Sequence, residues 1–220
     1  SAQGVSSSAS RPNVLFIAVD DLKPMLGCYG DETVLSPNMD RLAEEGTLFA
    51  NNQCQQAVCG PSRASLLTGL RPDTTRVYDL KTKMREVNPE ILTLPEYFKE
   101  SGYETVGMGK IFDPRSVDGR KFQDQPSWSV PFIYSYGKSP SAAGFVNPET
   151  IAWIRAQKDS RGKPVPVWNV KGIPATEGSE DVPDNAYNDG AMAEAAVDWI
   201  GKLSREDKPF FLAVGFQKPH

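Results

Sequence analysis

Two kinds of hydrophobic pattern alternate along the chain. Residues 13–19 (NVLFIAV) form a near-continuous aliphatic run, as in a parallel strand covered on both faces, where neither set of side chains meets water. Ser36 and Pro37 then open a helix. Ser36 is placed to cap it, Pro37 suits its first turn, and Met39, Leu42 and Ala43 follow at helical spacing before Gly46. Residues 47–50 read as a short strand. Proline near the start and glycine at the end mark a second helix over 61–67, stopped by Gly69, and a third over 94–101, closed by Gly102. Residues 103–108 (YETVGM) predict a strand that reaches a Gly109-Lys110 turn. Residues 188–203 return to a helix with Ala193, Val197, Ile200 and Leu203 on one face, and it feeds a strand over 209–216. Between them, residues 112–184 are rich in Pro, Gly, Trp and Tyr with weak periodicity. Long loops with one short helix around 151–157 are expected there, and segments of this kind are often functional. Strand and helix in alternation imply an α/β fold with a mostly parallel sheet.

Composition narrows the class without changing that picture. The chain has 220 residues, 39% apolar and 24% charged, with three cysteines and a net charge of -4. A chain of this length buries a core without a disulfide framework. Its dispersed, acidic charge speaks against nucleic-acid binding, which calls for a basic stripe. No apolar run approaches the roughly 18 residues that cross a bilayer, so no membrane span is expected. Residues 1–12 are small and polar, the composition of a flexible leader such as remains after removal of an export signal. Residues 13–220 are then the folded part. The strand over 209–216 has little chain after it to cover it, so a further C-terminal portion, on this chain or a second one, is expected to complete the domain.

Candidate chemistry begins at Asp20 and Asp21, two acids at the carboxyl end of the first strand, where α/β sheets place their sites. Read alone, such a pair is a solvated turn or a helix cap. The sharpest local signal is CGPSRASLLTG, Cys59 to Gly69. With Pro61 in the first turn, Cys59 stands at a helix N-terminus, where free amides and the dipole favour an anion. Arg63, four residues on, shares its face and can meet an oxyanion with a planar fork. The plain alternative is a helix start with a small buried Cys and a surface Arg.

The CGPSR pentapeptide with ASLLTG resembles the signature of the type I sulfatases, whose motif cysteine is oxidised to formylglycine. NVLFIAVDDLKPMLGCYGD, SPNMDRLA, QQAVCGPSR, LTGLRPDTTRVYD, the GK of GMGKIFDP, and FFLAVGFQKPH are similar, in that order, to the iduronate-2-sulfatase branch of the family. The likeness covers most of the chain outside residues 115–187. It implies an alkaline-phosphatase-like fold, with a mostly parallel central sheet flanked by helices, and hydrolysis of O-sulfate esters of a saccharide such as a 2-O-sulfated uronic acid.

By the same resemblance Cys59 is the modified residue and also a metal ligand, and Arg63 is the motif arginine. Asp20 and Asp21 bind the metal, Ca²⁺ or alternatively Mg²⁺, which hard oxygen ligands favour. Lys110 contacts the sulfate, and His220 is the candidate proton donor to the leaving group. An aldehyde at Cys59 hydrates to a geminal diol, so one hydroxyl can attack sulfur while the other later expels sulfate. Implied partners are a formylglycine-generating enzyme and a sulfated oligosaccharide or polysaccharide, and the implied location is periplasmic or secreted. Lys110 and His220 by themselves would be an ordinary surface lysine and a terminal histidine.

Asp113 departs from the pattern, because similar sequences carry a histidine there, three residues after the lysine. A carboxylate at that point is a substrate-facing residue expected to repel a uronate, which shifts weight toward a related sulfated polysaccharide. Two other functions stay open: a phosphonate or phosphate monoester hydrolase of the same superfamily, and a non-catalytic sugar-binding protein. Cys28 and Cys54 are either bonded to each other or two buried thiols. Trp128, Trp153, Trp168, Tyr134 and Tyr136 are either sugar-stacking platforms or loop anchors in the core.

Overall fold

The computed structural model describes residues 11–134, 145–173 and 182–220. They fall into two compact units, Ser1–Tyr134 with Lys202–His220, and Ser135–Gly201. Of the expected leader, residues 1–10 lie outside the described residues. Arg11 is already anchored, donating to the Ser101 carbonyl and lying 5.5 Å from the centre of the Tyr103 ring.

The first unit is built on three parallel strands, β1 (Val14–Val19), β2 (Glu104–Gly109) and β3 (Phe210–Phe216). Their order is β1-β3-β2, so the last strand in the chain is the central one. The register places Phe16 beside Ala213 and Gly107 beside Ala213, which puts Val14, Phe16, Thr105, Gly107, Phe211 and Ala213 on one face. That face carries the core. Phe16, Phe211 and Phe98 form a stack with centroid spacings of 6.1 and 4.7 Å, joined by Leu67, Met84, Ile111, Phe112, Trp128 and Phe132. Cover on both faces, as the aliphatic run of β1 predicts, is found at β3 and β2, where Leu212, Val214, Val106 and Met108 are buried, but not at β1. Leu15 and Ile17, on the face of β1 opposite the aromatic core, are 46% and 51% exposed.

Helix signals are mostly local, and the helices stand close to where they are expected. They are α1 (Pro37–Glu45), α2 (Cys59–Thr68), the single turns α3 (Pro72–Thr75) and α4 (Met84–Val87), α5 (Leu94–Glu100), α6 (Pro148–Ala156) and α7 (Asn188–Leu203). Gly69, at φ 69°, ends α2 in the left-handed region that a side chain disfavours. A capping box between Thr93 and Glu96 starts α5, and Asn147 caps α6 by accepting from the amides of Glu149 and Thr150. Ser36 does not cap α1. Its hydroxyl accepts from the Gly27 amide and donates to Asp40, tying the helix to the preceding turn instead. Residues 47–50 form no strand, and Phe49 is 71% exposed. In α7 the buried side runs through Met192, Ala196 and Leu203, while Val197 is 67% exposed, so the inward face is rotated from the expected one.

The expected loop after Phe112 contributes to the core. Backbone amides of Ser129 and Ile133 donate to Thr105 and Gly107 along the outer edge of β2, at 2.9 and 3.0 Å. Gly107 makes room for this segment, since a Cβ there would lie 2.6 Å from the Trp128 ring. Trp128 is therefore a core anchor, its indole N–H donating to the Gln123 carbonyl at 2.7 Å. Trp153 and Tyr134 are partly exposed, and Tyr136 and the Trp168 side chain lie outside the described residues. Cys28 and Cys54 are unbonded; Cys28 is half-buried, and Cys54 is on the surface rather than buried.

Candidate active site

All three strands run the same way, so their carboxyl ends share one edge of the sheet. Asp20 and Asp21 follow β1, Lys110 follows β2, and His220 lies four residues past β3. The central strand fixes its two neighbours: the Asp20 amide donates to the Phe216 carbonyl at 3.0 Å, and the Lys110 amide to the Gly215 carbonyl at 2.8 Å. This close approach needs glycine at 215.

Asp20 is the hub of the edge. It is buried, and its carboxylate accepts from Arg63 Nη2 at 2.7 Å and from the Lys110 ammonium. Burial by itself would raise its pKa, but the bonds to Lys110 and Arg63 outweigh that and hold the carboxyl below its ordinary range. Arg63 is not a surface residue: it is 7% exposed. Its Nη1 donates to the carbonyls of Lys110 and Ile111 at 2.5 and 2.9 Å, so α2 is clamped to the ends of both β1 and β2. Asp21, exposed and at φ 55°, pairs with His220 Nδ1, which also lies 3.6 Å from Asp20. Ligand atoms of Asp20, Asp21 and His220 all lie within 4.8 Å of one another. Two adjacent carboxylates in this arrangement are donors of the kind that a hard, oxygen-preferring divalent cation takes.

Cys59 is the first residue of α2 and half-buried. Its thiol donates to Asp113 Oδ2 at 2.9 Å. Burial pushes the thiol pKa up from its ordinary 9.0, Asp113 adds to the rise, and the charges of Lys110 and Arg115 oppose it. Asp113 is 1% exposed. Burial works to raise its pKa too, yet the guanidinium of Arg115 and the Cys59 thiol hold it well below the usual carboxylate range. Arg115 grips both of its oxygens, Nε to Oδ1 at 2.9 Å and Nη2 to Oδ2 at 2.8 Å, and Nη2 also reaches Cys59 Sγ at 3.3 Å.

The catalytic and metal-binding candidates singled out in the sequence thus lie at this edge, in two linked groups: Asp20, Asp21, Arg63, Lys110 and His220 in one, Cys59 and Asp113 in the other. Arg115 is the member that the sequence pattern does not single out. The signal that points to it is Asp113 itself, since an acid beside a thiol inside the fold calls for a cation, and Arg115 stands two residues away.

Residues 12–220 match the family model described as Sulfatase. The chain is 42% identical over 227 residues to the iduronate 2-sulfatase of Mus musculus, covering 100% of this chain and 37% of the relative. It therefore spans little more than a third of that protein's length. Among solved structures, the phosphonate monoester hydrolase of Agrobacterium radiobacter superposes with a TM-score of 0.60 at 24% identity, over 96% of this chain and 41% of the other. A 2-O GAG sulfatase does so with 0.58 at 23%, over 96% and 35%. These likenesses identify the alkaline-phosphatase-like fold, with its parallel sheet flanked by helices.

Proposed function

Because the chain belongs to the sulfatase family, we propose that the intact protein hydrolyses O-sulfate esters of a sulfated saccharide, a 2-O-sulfated uronic acid or a related polysaccharide unit. The observation that carries this reading is the gathering of Cys59, Arg63, Lys110, Asp20, Asp21 and His220 at one edge of the sheet. The 42% identity to an iduronate 2-sulfatase supports the substrate class.

Sulfate ester hydrolysis needs a nucleophile, positive charge on the sulfuryl oxygens and a proton for the departing alcohol. Formylglycine derived from Cys59 supplies the attacking oxygen. Asp20 and Asp21, with the group derived from Cys59, would hold a divalent cation, Ca²⁺ or Mg²⁺, which when bound would supply Lewis-acid stabilisation of the sulfuryl oxygens. Lys110 brings an ammonium to the same oxygens and is kept in place by Asp20. His220 has Nδ1 on Asp21; in the imidazolium form, with both nitrogens protonated, Nε2–H would give its proton to the leaving oxygen and leave the neutral ring. Arg63 spends its guanidinium on Asp20 and two carbonyls, so its part is to hold the edge together.

A formylglycine-generating enzyme is the required maturation partner, and the setting is periplasmic or secreted, where polymeric sulfated sugars are met. Among the described residues no helix is long and apolar enough to cross a membrane.

The test joins peptide mass with product release. Conversion of Cys59 lowers the mass of its tryptic peptide by about 18 Da, as a thiol is replaced by a carbonyl oxygen. Intact protein from its native host is expected to carry that peptide and to release sulfate from a panel of sulfated uronic-acid oligosaccharides. Turnover of an aryl phosphonate with none of any sulfate ester would favour the phosphonate hydrolase reading. An unmodified thiol with no turnover at all would overturn the proposal in favour of a sugar-binding role.

A further inference from the structure

Asp113 and Arg115 are placed where a substrate anion must arrive, and their geometry divides the work between them. The Nε and Nη2 edge of the Arg115 guanidinium is filled by the two oxygens of Asp113. Nη2 turns its second hydrogen to Cys59 Sγ. Nη1 has no partner among the described residues, and the side chain is 53% exposed. A buried acid thus aims an arginine so that its remaining donors face outward beside the nucleophile.

The charge balance is as informative as the aim. Asp113 is cancelled by Arg115, so it presents no net negative charge to an incoming anion. Of the other cations near Cys59, Arg63 is buried against Asp20 and two backbone carbonyls, while Lys110 keeps one bond to Asp20 and has donors left for the same oxygens, so Arg115 would act beside Lys110 rather than in its place. Arg115 is the exposed guanidinium in direct contact with the attacking atom's position. Reacting atoms meet at about 3–3.5 Å, comparable to the 3.3 Å that separates Nη2 from Sγ. A tetrahedral oxyanion approached by the group at Cys59 therefore brings its non-bridging oxygens within reach of Nη1 and Nη2.

We propose that Arg115, aimed by Asp113, is a sulfate-contacting residue that binds the non-bridging oxygens of the ester under attack. The inference rests on the sulfatase reading above. Asp113 acts through Arg115 and Cys59 rather than on the sugar, and so is a positioning residue. On this account the acid at 113 does not repel an acidic sugar; it is the fixed half of an anion receptor.

Arg115→Ala and Arg115→Lys in the intact, matured protein test this, with kcat and KM for the best sulfated saccharide and the inhibition constant of inorganic sulfate as readouts. Loss of charge-assisted bonds to one anion is worth about a 10- to 100-fold change. Arg115→Ala is expected to lower kcat/KM and weaken inhibition by sulfate by that factor. Arg115→Lys should recover little, because an ammonium cannot grip Asp113 with two donors and face the anion as well. Asp113→Asn should lower kcat while leaving sulfate inhibition at least as strong, since the local charge becomes more positive as the aim is lost. A merely structural role would not separate the two readouts.

Arg115→Ala leaves buried Asp113 without its cation and should lower the unfolding midpoint, so rates are taken per folded molecule; the Arg115→Ala/Asp113→Asn pair, which removes both charges, should regain the midpoint without regaining inhibition by sulfate. Wild-type activity with both Arg115 variants within twofold of it, in kcat/KM and in sulfate inhibition, would overturn the inference alone. A wild-type protein that releases no sulfate would instead remove the sulfatase reading, and this inference with it.

Discussion

Substituting Gly215 by alanine should disable the site from a position that touches no substrate. A Cβ at 215 would lie 2.1 Å from the Lys110 carbonyl oxygen, 2.3 Å from its carbon and 2.7 Å from its nitrogen. Ordinary contact begins at 3.4 Å, so the closest pair falls short by about 1.3 Å. The atoms concerned are backbone on both sides and cannot rotate away. Relief requires β2 and β3 to part at their carboxyl ends, which breaks the 2.8 Å bond from the Lys110 amide to Gly215 and moves the ammonium that Asp20 holds. A misplacement near 1 Å costs on the order of 100-fold in rate, and overpacking costs roughly 1–3 kcal/mol of stability. Sulfate release and urea unfolding of the intact protein measure the two separately. Gly107→Ala is the control, because its Cβ would meet the Trp128 and Phe132 rings at 2.6 and 2.8 Å, far from Lys110 in chemistry but on the same strand. It should lose stability to a similar degree and keep most of its kcat per folded molecule. A Gly215→Ala protein that is folded and within threefold of wild-type kcat would refute the argument that β3 sets the position of Lys110.

Two further outcomes follow from the same edge. Arg63→Ala strands two buried carbonyls and leaves Asp20 with one of its two cations; losing a partner from such a buried pair costs about 3–5 kcal/mol, read as a drop in the urea midpoint, and a change under about 1 kcal/mol would show that the clamp is dispensable. In protein made without conversion of Cys59, iodoacetamide at about pH 8 should label exposed Cys54 well before Cys59, whose thiolate is suppressed by burial and by Asp113. The thiol pKa is raised, so Cys59 labelling should climb only as pH passes above 9.0, and Asp113→Asn should speed it; equal rates for the two cysteines by peptide mass would contradict the environment described.

The part of the fold that is legible in the sequence is the local part. Aliphatic runs at β1 and β3, the proline and glycine punctuation of α2 and α5, and the acids at the end of β1 all depend on neighbours within a few residues, and so they survive in a one-dimensional pattern. The cysteine motif and its arginine are legible for the same reason. Single turns such as α3 and α4 leave too few periodic positions to detect, and the strand expected over residues 47–50 has suitable residues but no ladder to join.

The sequence by itself therefore indicated the class of the fold, its three strands and most helices, and the candidate residues of the proposed site. Tertiary contact settled how those residues are used. The central place of β3, which brings Asp20, Lys110 and His220 to one edge, is a pairing between segments nearly 200 residues apart. The same holds for the burial of Arg63 against Asp20 and for Asp113 reaching Cys59 across 54 positions. Burial and charge pairing depend on what lies across space. An arginine two residues from an acid is ordinary on paper; it becomes an aimed cation only once the acid is buried and the nucleophile stands beside it.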